Sequence, residues 1–319
     1  MNETENTELI PAEIGLIPTP PPGFKSGFVG IIGRPNVGKS TLMNQLIGQK
    51  IAITSPVAQT TRNRLRGILT LPEAQIIFVD TPGIHKPHHQ LGEVLVKNAQ
   101  AAIQTVDVLL FVVDGAVPAG KGDRFIAELA QRSPGPVILG LNKIDQQPSD
   151  DAALDASYQA IADSHGWTLT KFSAVTDAGL PELLQLLTQN LAPGPYYYPP
   201  DLVTDQPERF IMGELIREQI LAQTREEIPH STAIVIEKVQ EEPTITRVFA
   251  TIHVERPSQK GILIGKQGSM LKAIGTSSRE QIQKLIAGKV YLELFVKVQP
   301  KWRQSRPRLA ELGYQVEDE

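Results

Sequence analysis

Gly33-Arg34-Pro35-Asn36-Val37-Gly38-Lys39-Ser40 decides the reading of this chain. It fits the phosphate-binding spacing G-x-x-x-x-G-K-[ST]. Before it, Phe28-Val29-Gly30-Ile31-Ile32 is a short apolar β-type run. After it, Thr41-Leu42-Met43-Asn44-Gln45-Leu46-Ile47 has apolar positions at helical spacing. Strand, glycine loop and helix are the setting the motif requires. The glycines allow a tight turn that brings backbone N–H groups to phosphate oxygens. The helix start adds its positive dipole end. In this pattern Lys39 reaches the β- and γ-phosphates, and the Ser40 hydroxyl is a Mg²⁺ ligand.

Two further loops complete a nucleotide site. Asp80-Thr81-Pro82-Gly83 ends the apolar run Gln75–Val79. A carboxylate there steers Mg²⁺, usually through water, and the Gly83 N–H can meet the γ-phosphate. Loss of that phosphate relaxes the loop, which is the basis of a switch. Asn142-Lys143-Ile144-Asp145 closes another apolar strand. The Asp145 carboxylate is acceptor-only. Guanine offers it two donors on one edge, and adenine does not. Leaving a buried charge unmatched gives discrimination on the order of 10⁴-fold. Lys143 is expected along the base plane, with Asn142 tying loops together. Ser173-Ala174, at the end of a fifth strand, is expected to turn a backbone N–H toward the guanine O6.

Thr60-Thr61-Arg62 lies in the loop after the first helix. A threonine there completes the Mg²⁺ shell of the triphosphate state. Thr61 is the favoured ligand, Thr60 the alternative. Ile84 stands where Ras-type proteins carry the glutamine that orients the attacking water, and an apolar side chain cannot do that. The site is therefore built for slow turnover or for another electrostatic aid. Asn36 resembles the asparagine of GTPases that use K⁺ beside the phosphates, so K⁺ assistance through Asn36 is expected. The catalytic set is Lys39, Asn36, Thr61 and Gly83. His85, His88 and His89 read as solvated loop residues, since zinc takes three or four protein ligands.

The 319 residues suggest about two domains. There is no cysteine, which excludes disulfides and thiolate metal sites. No run of 18 apolar residues exists, so no transmembrane span is read. The acidic start Met1–Glu8 is neither a secretory signal nor a transit peptide. The net charge of −4 hides an asymmetry: Arg256 to Arg308 holds twelve Lys/Arg against two acids, a surplus of ten, which leaves −14 elsewhere. A basic block in an acidic protein points to an anionic partner.

Residues 1–25 are polar and then proline-rich, a disordered or extended tail. From 26 to 191 strands and helices alternate, and runs such as Val108–Val113 belong to strands covered on both faces. This is a doubly wound α/β sheet. Ala192–Gln206 is the linker, opened by Pro193, Pro195, Pro199 and Pro200. Residues 207–316 then read as helix, two strands, a helix–turn–helix over Leu263–Ala287 and a last strand, Lys289–Val298. That is an α+β domain. Within it, Gly265-Lys266-Gln267-Gly268 follows Ile262-Leu263-Ile264 and precedes Met270-Leu271-Lys272. A G-x-x-G loop between helices is the KH signature that clamps about four single-stranded nucleotides. The strand order suits the type II form. Lys266 and Lys272 meet phosphate, and the apolar floor at Ile264 takes bases. Lys301 and Arg303 flank Trp302, which either stacks a base or packs the domain's end.

With these residues the chain resembles the Era family of bacterial GTPases. The matching stretches are Gly33–Leu42, Gln59-Thr60-Thr61-Arg62, Asp80–His85, Asn142–Asp145, Gly265–Gly268, Leu294–Val298, Trp302 and Leu312-Gly313-Tyr314. The likeness spans about residues 25–316. It implies GTP and GDP as ligands, Mg²⁺ as cofactor, and a role in assembling the 30S ribosomal subunit. The KH domain would hold the 3′ end of 16S rRNA in the GTP state and release it after hydrolysis. It further implies a cytoplasmic protein with peripheral inner-membrane contact; a monomer is expected. Two rival readings stand beside it: a membrane-directed GTPase, and an RNA chaperone whose nucleotide is only structural.

Overall fold

A computed structural model describes residues 17–55, 62, 65–84, 90–147, 152–286 and 288–314. The N-terminal unit is a six-stranded sheet in the order β2-β3-β1-β4-β5-β6. Its strands are β1 (Lys25–Ile32), β2 (Leu65–Thr70), β3 (Ala74–Asp80), β4 (Val108–Asp114), β5 (Val137–Asn142) and β6 (Thr168–Lys171). All pairings are parallel except β2 with β3. The helices are α1 (Lys39–Ile47), α2 (Gln90–Thr105), α3 (Lys121–Ala130), α4 (Ala152–His165) and α5 (Leu180–Asn190). β3 and β5 are buried along their whole length, and β4 is buried up to its last residue, Asp114. Two apolar cores account for this. One gathers Leu42, Met43, Phe78 and Leu183 on one side of the sheet; the other gathers Phe111, Ile103, Ile126 and Tyr158 on the opposite side. The doubly wound expectation is borne out. β1 starts at Lys25, inside the stretch read as tail, because Phe24 is buried against Tyr196.

The C-terminal unit comprises α6 (Glu208–Gln223), β7 (Ala233–Glu242), β8 (Ile245–Val254), α7 (Pro257–Ile264), α8 (Ser269–Ile282), β9 (Lys289–Val298) and α9 (Arg306–Glu311). β7 pairs antiparallel with β8, and β8 pairs parallel with β9, which is the type II strand order. α7 begins earlier than the helix–turn–helix expectation. Pro257 occupies its first turn, where a missing N–H costs nothing, and Gln259 Oε1 accepts from the backbone N–H groups of Glu255 and Arg256. α9 was not anticipated.

The linker has no regular structure beyond one bridge from Pro193 to Lys25, yet it is strapped to the sheet. Buried Gln75 donates to the Tyr198 carbonyl and accepts from the N–H groups of Tyr197 and Tyr198. Further on, Ile68 of β2 donates to the Val203 carbonyl, and Arg66 pairs with Asp205 at 2.8 Å. Prolines excluded helix and strand here but said nothing about side-chain partners. Gln75→Leu is expected to leave two linker N–H groups and a carbonyl without their partner. Its expected cost is about 2–3 kcal/mol, with faster proteolytic nicking near 197–200; urea melts and timed digestion check both.

Candidate functional site

The phosphate loop joins β1 to α1. Gly33 has φ 155°, and a Cβ there would meet the Val112 carbonyl oxygen at 2.3 Å. Gly38 has φ 97°, and its Cβ would meet the Asn142 amide nitrogen at 2.3 Å. Only glycine satisfies both positions. Lys39 is buried, and its Nζ donates to the Gly33 and Arg34 carbonyls at 3.2 and 3.0 Å. Burial lowers its pKa to about 8, opposed by the charge of Asp80. Arg34 points away from the cleft to buried Asp123 of α3 at 2.7 Å. Asn36, Lys39, Ser40, Thr54, Ser55 and Gly83 line the open cleft.

The Ser40 hydroxyl donates to Asp80 Oδ2 at 2.6 Å, so two hard oxygen donors from different motifs converge beside the ammonium. That set suits Mg²⁺, which takes few protein ligands and completes its shell with phosphate and water. Thr60 and Thr61 lie outside the described residues, as do His85, His88 and His89. The Thr81 hydroxyl is pinned to the Ile31 carbonyl at 2.8 Å. Gly83 packs on the phosphate loop, where a Cβ would come within 2.9 Å of the Pro35 nitrogen. Ile84 turns inward and is buried in the core around Phe111.

Asn142 is the hub of the base-side loops. Its Nδ2 donates to the Val37 carbonyl at 2.8 Å, and its Oδ1 accepts from Lys143 N and Ala174 N at 2.8 and 2.9 Å. One buried amide thus joins three motifs. The Ala174 N–H, expected to face the guanine O6, is held by this side chain, and the Ser173 N–H is held by the Ala178 carbonyl. The loop is thereby tied to Asn142. Lys143 adopts φ 66° and pairs with Asp114 at 2.6 Å. Its stem is thereby fixed beside the exposed Asp145, and Ile144 starts the turn that carries it. Neither Asp114 nor Asp123 was singled out beforehand; the signal was a carboxylate at the carboxyl end of β4, where such sheets bind ligands.

In the C-terminal unit, Gly265 (φ 71°) and Gly268 (φ 80°) frame the loop between α7 and α8, with Gln267 also left-handed at φ 52°. A Cβ on Gly265 would meet the Met270 nitrogen at 2.9 Å. Lys266, Gln267 and Lys272 are exposed, and Ile264 is half-buried beside them. Lys301 is exposed too. Trp302 is fully buried, and its indole N–H donates to the Ser231 carbonyl at 3.1 Å. Of its two readings, packing is the one realised. Arg303 is engaged by Glu255, with Nε at 2.9 Å, and by the His230 carbonyl, so it braces the domain.

Family models match two parts of the chain: 50S ribosome-binding GTPase over residues 28–143, and KH domain over residues 227–303. GTPase Era of Nostoc sp. is 77% identical over 302 residues, covering 95% of this chain and 93% of the relative. GTPase Era of Leuconostoc citreum is 49% identical, with 92% and 98% covered. A crystal structure of Era in complex with MgGDPNP and nucleotides 1506–1542 of 16S ribosomal RNA superposes with TM-score 0.88 at 37% identity, covering 91% of this chain and 99% of that one. A variant of Aquifex aeolicus Era bound to GDP·AlF₄⁻ superposes with TM-score 0.87, also at 37% identity and with the same shares covered.

The Lys39 pKa fixes a sign. With no phosphate present, the ammonium loses its proton as pH rises through about 8. A bound phosphate favours the charged form, so nucleotide binding above that pH takes up a proton. Calorimetry of GDP binding at about pH 8.5, in two buffers of different ionisation enthalpy, should show uptake of a sizeable fraction of a proton, and almost none at about pH 6.5.

Proposed function

This chain belongs to the Era family of GTPases, and from that premise we propose that it is a GTP-hydrolysing switch acting in assembly of the 30S ribosomal subunit. Its KH domain grips the 3′ end of 16S rRNA with GTP bound and releases it with GDP. The observation that carries this reading is one chain holding both halves of the device. A buried lysine stands beside the Ser40–Asp80 pair, and an exposed Gly265–Gly268 loop sits in the basic block.

GTP lies with its phosphates along Gly33–Thr41 and its base between Asn142–Asp145 and the loop at Ser173-Ala174. Bound Mg²⁺ supplies positive charge that neutralises the phosphate oxygens, with Ser40, Asp80 and Thr61 as its protein-side ligands. Water attacks the γ-phosphorus, the bond to the bridging β-oxygen breaks, and the proton leaves with inorganic phosphate. Lys39 spreads the charge that builds on those oxygens, and the Gly83 N–H reports the departing group. Ile84 offers no polar atom, so the attacking water is unassisted there. Asn36 is the residue suited to hold K⁺ beside the phosphates, where a second cation stabilises the same charge.

On the RNA side, Gly265 and Gly268 let the backbone approach phosphates, Lys266 and Lys272 supply charge, and Ile264 and Gln267 border the base groove. Lys301 adds to the positive surface. The protein acts in the cytoplasm as a monomer, and the same basic surface suits peripheral contact with anionic lipid at the inner membrane.

Lys39→Ala should lower multiple-turnover phosphate release at least about 100-fold, the scale of losing one preorganised charge. Release should be several-fold faster in K⁺ than in Na⁺, with the difference lost in Asn36→Ala. An RNA of the 3′-terminal 16S sequence should bind roughly 5- to 100-fold tighter with GDPNP than with GDP, the usual span of coupling between sites; equal affinities in filter binding would refute the switch.

A further inference from the structure

The loop after α1, which carries Thr61, is fastened to the KH domain at both ends. At its start, Glu218 of α6 accepts from the Lys50 ammonium at 2.6 Å and from the Thr54 N–H at 3.0 Å. Ile53, between them, packs into the KH core with Ile211 and Leu215. At its end, Arg62 is 2% exposed, and its guanidinium crosses into the other domain. It donates to the Thr232 carbonyl at 2.6 Å, the Pro229 carbonyl at 3.0 Å, the His230 carbonyl at 3.3 Å and the Tyr314 hydroxyl at 3.3 Å. The described acceptors are three main-chain carbonyls of one turn and a phenol. No carboxylate is among them.

The patch that receives Arg62 receives the second nucleotide-sensing segment as well. α2 follows the Asp80–Gly83 loop, and its Leu91, Val94 and Leu95 pack against Trp302, Leu309 and Tyr314. The Tyr314 ring stacks on Trp302 at 5.8 Å, and the Arg62 guanidinium lies 5.9 Å from the Tyr314 ring centre. Both segments to which the proposed function gives the sensing of the γ-phosphate therefore end on one KH surface.

We infer that Arg62 is the positioning residue that couples the nucleotide site to the KH domain, its guanidinium docked on the 229–232 turn and Tyr314. The inference deepens the proposed switch and rests on it. Thr61 and Arg62 are consecutive, so a threonine that shifts when the γ-phosphate leaves must move or strain the docked guanidinium. A cation in a low-dielectric pocket is held by directed bonds or expelled, so the contact has two settings rather than a continuous range. By linkage, RNA that favours one setting of the KH domain alters the loop in return.

The test compares full-length wild type with Arg62→Lys and Tyr314→Phe. The quantity is the ratio of affinities for the 3′-terminal 16S RNA with GDPNP and with GDP. Thermal melting and GDP affinity are measured alongside. Lysine keeps the charge but lacks the planar fork that reaches several carbonyls. Arg62→Lys should bring the ratio to within about twofold of unity while GDP affinity stays within about twofold of wild type. Tyr314→Phe, which loses one hydrogen bond and keeps the ring, should lower the ratio at least about threefold. Arg62→Lys decides if it folds; if it does not, Tyr314→Phe decides by the same ratio. A wild-type ratio in the deciding variant overturns the inference, and so does a parallel loss of GDP affinity. A wild-type protein with no ratio to lose refutes the switch itself, which is a separate outcome.

Discussion

The structure turns on a buried ammonium. Lys39 is buried and largely shielded from water, held among the described residues by two carbonyls of its own loop, with the charge of Asp80 acting on it. Desolvation makes that position costly for a free cation. An incoming phosphate recovers the cost, because the charge is already aimed and needs no reorganisation. The surrounding fold keeps the loop in this shape. Val112 of β4 presses on Gly33, Asn142 of β5 presses on Gly38, and Pro35 receives Gly83. Each pressure comes from the carboxyl end of a parallel strand, where the doubly wound sheet leaves its crevice.

Much of this was legible in the sequence because the constraints are local. A loop that turns through two positive-φ glycines must show glycine at fixed spacing, and buried strands such as β4 must show unbroken apolar runs. Asn142 was read as a tie between loops, and that is its place, with its reach extending to Ala174. Glycines and strand order marked the KH loop equally well. Boundaries moved where one side chain decided them, as Gln259 did by capping α7 two residues after Pro257.

Contacts between remote segments left no pattern to read. Arg62 sits in a polar loop and Arg303 in a basic run, and such residues are ordinarily solvated. Nothing in either stretch shows that one guanidinium enters another domain or that the other binds Glu255. Trp302 had two readings because an aromatic between cations looks the same whether its neighbours are solvent or Ser231. The linker misled in a different way. Its prolines do exclude regular structure, but Gln75, 122 residues before Tyr197, supplies the hydrogen bonds that a strand would have supplied.

That strapped linker changes how the two units can communicate. A slack tether would let the KH domain sample many orientations, and a phosphate bound at the Gly33–Ser40 loop would have no lever on it. Here the chain from Pro193 to Asp205 is tied to β1, β2 and β3, up to three residues before the start of α6 at Glu208. Among the described residues, side-chain contacts add further joints: Glu218 with Lys50 and Thr54, Ile53 in the KH core, Arg62 with the 229–232 turn, and α2 against Trp302. Apolar faces such as α2 on Trp302 tolerate small sliding at little cost, whereas hydrogen bonds to a buried cation fail steeply with distance and angle. The interface therefore joins a compliant surface to a brittle one. A displacement of the phosphate-sensing loops would be absorbed by the first until the second gives way, which is how a small local shift becomes a discrete change between domains.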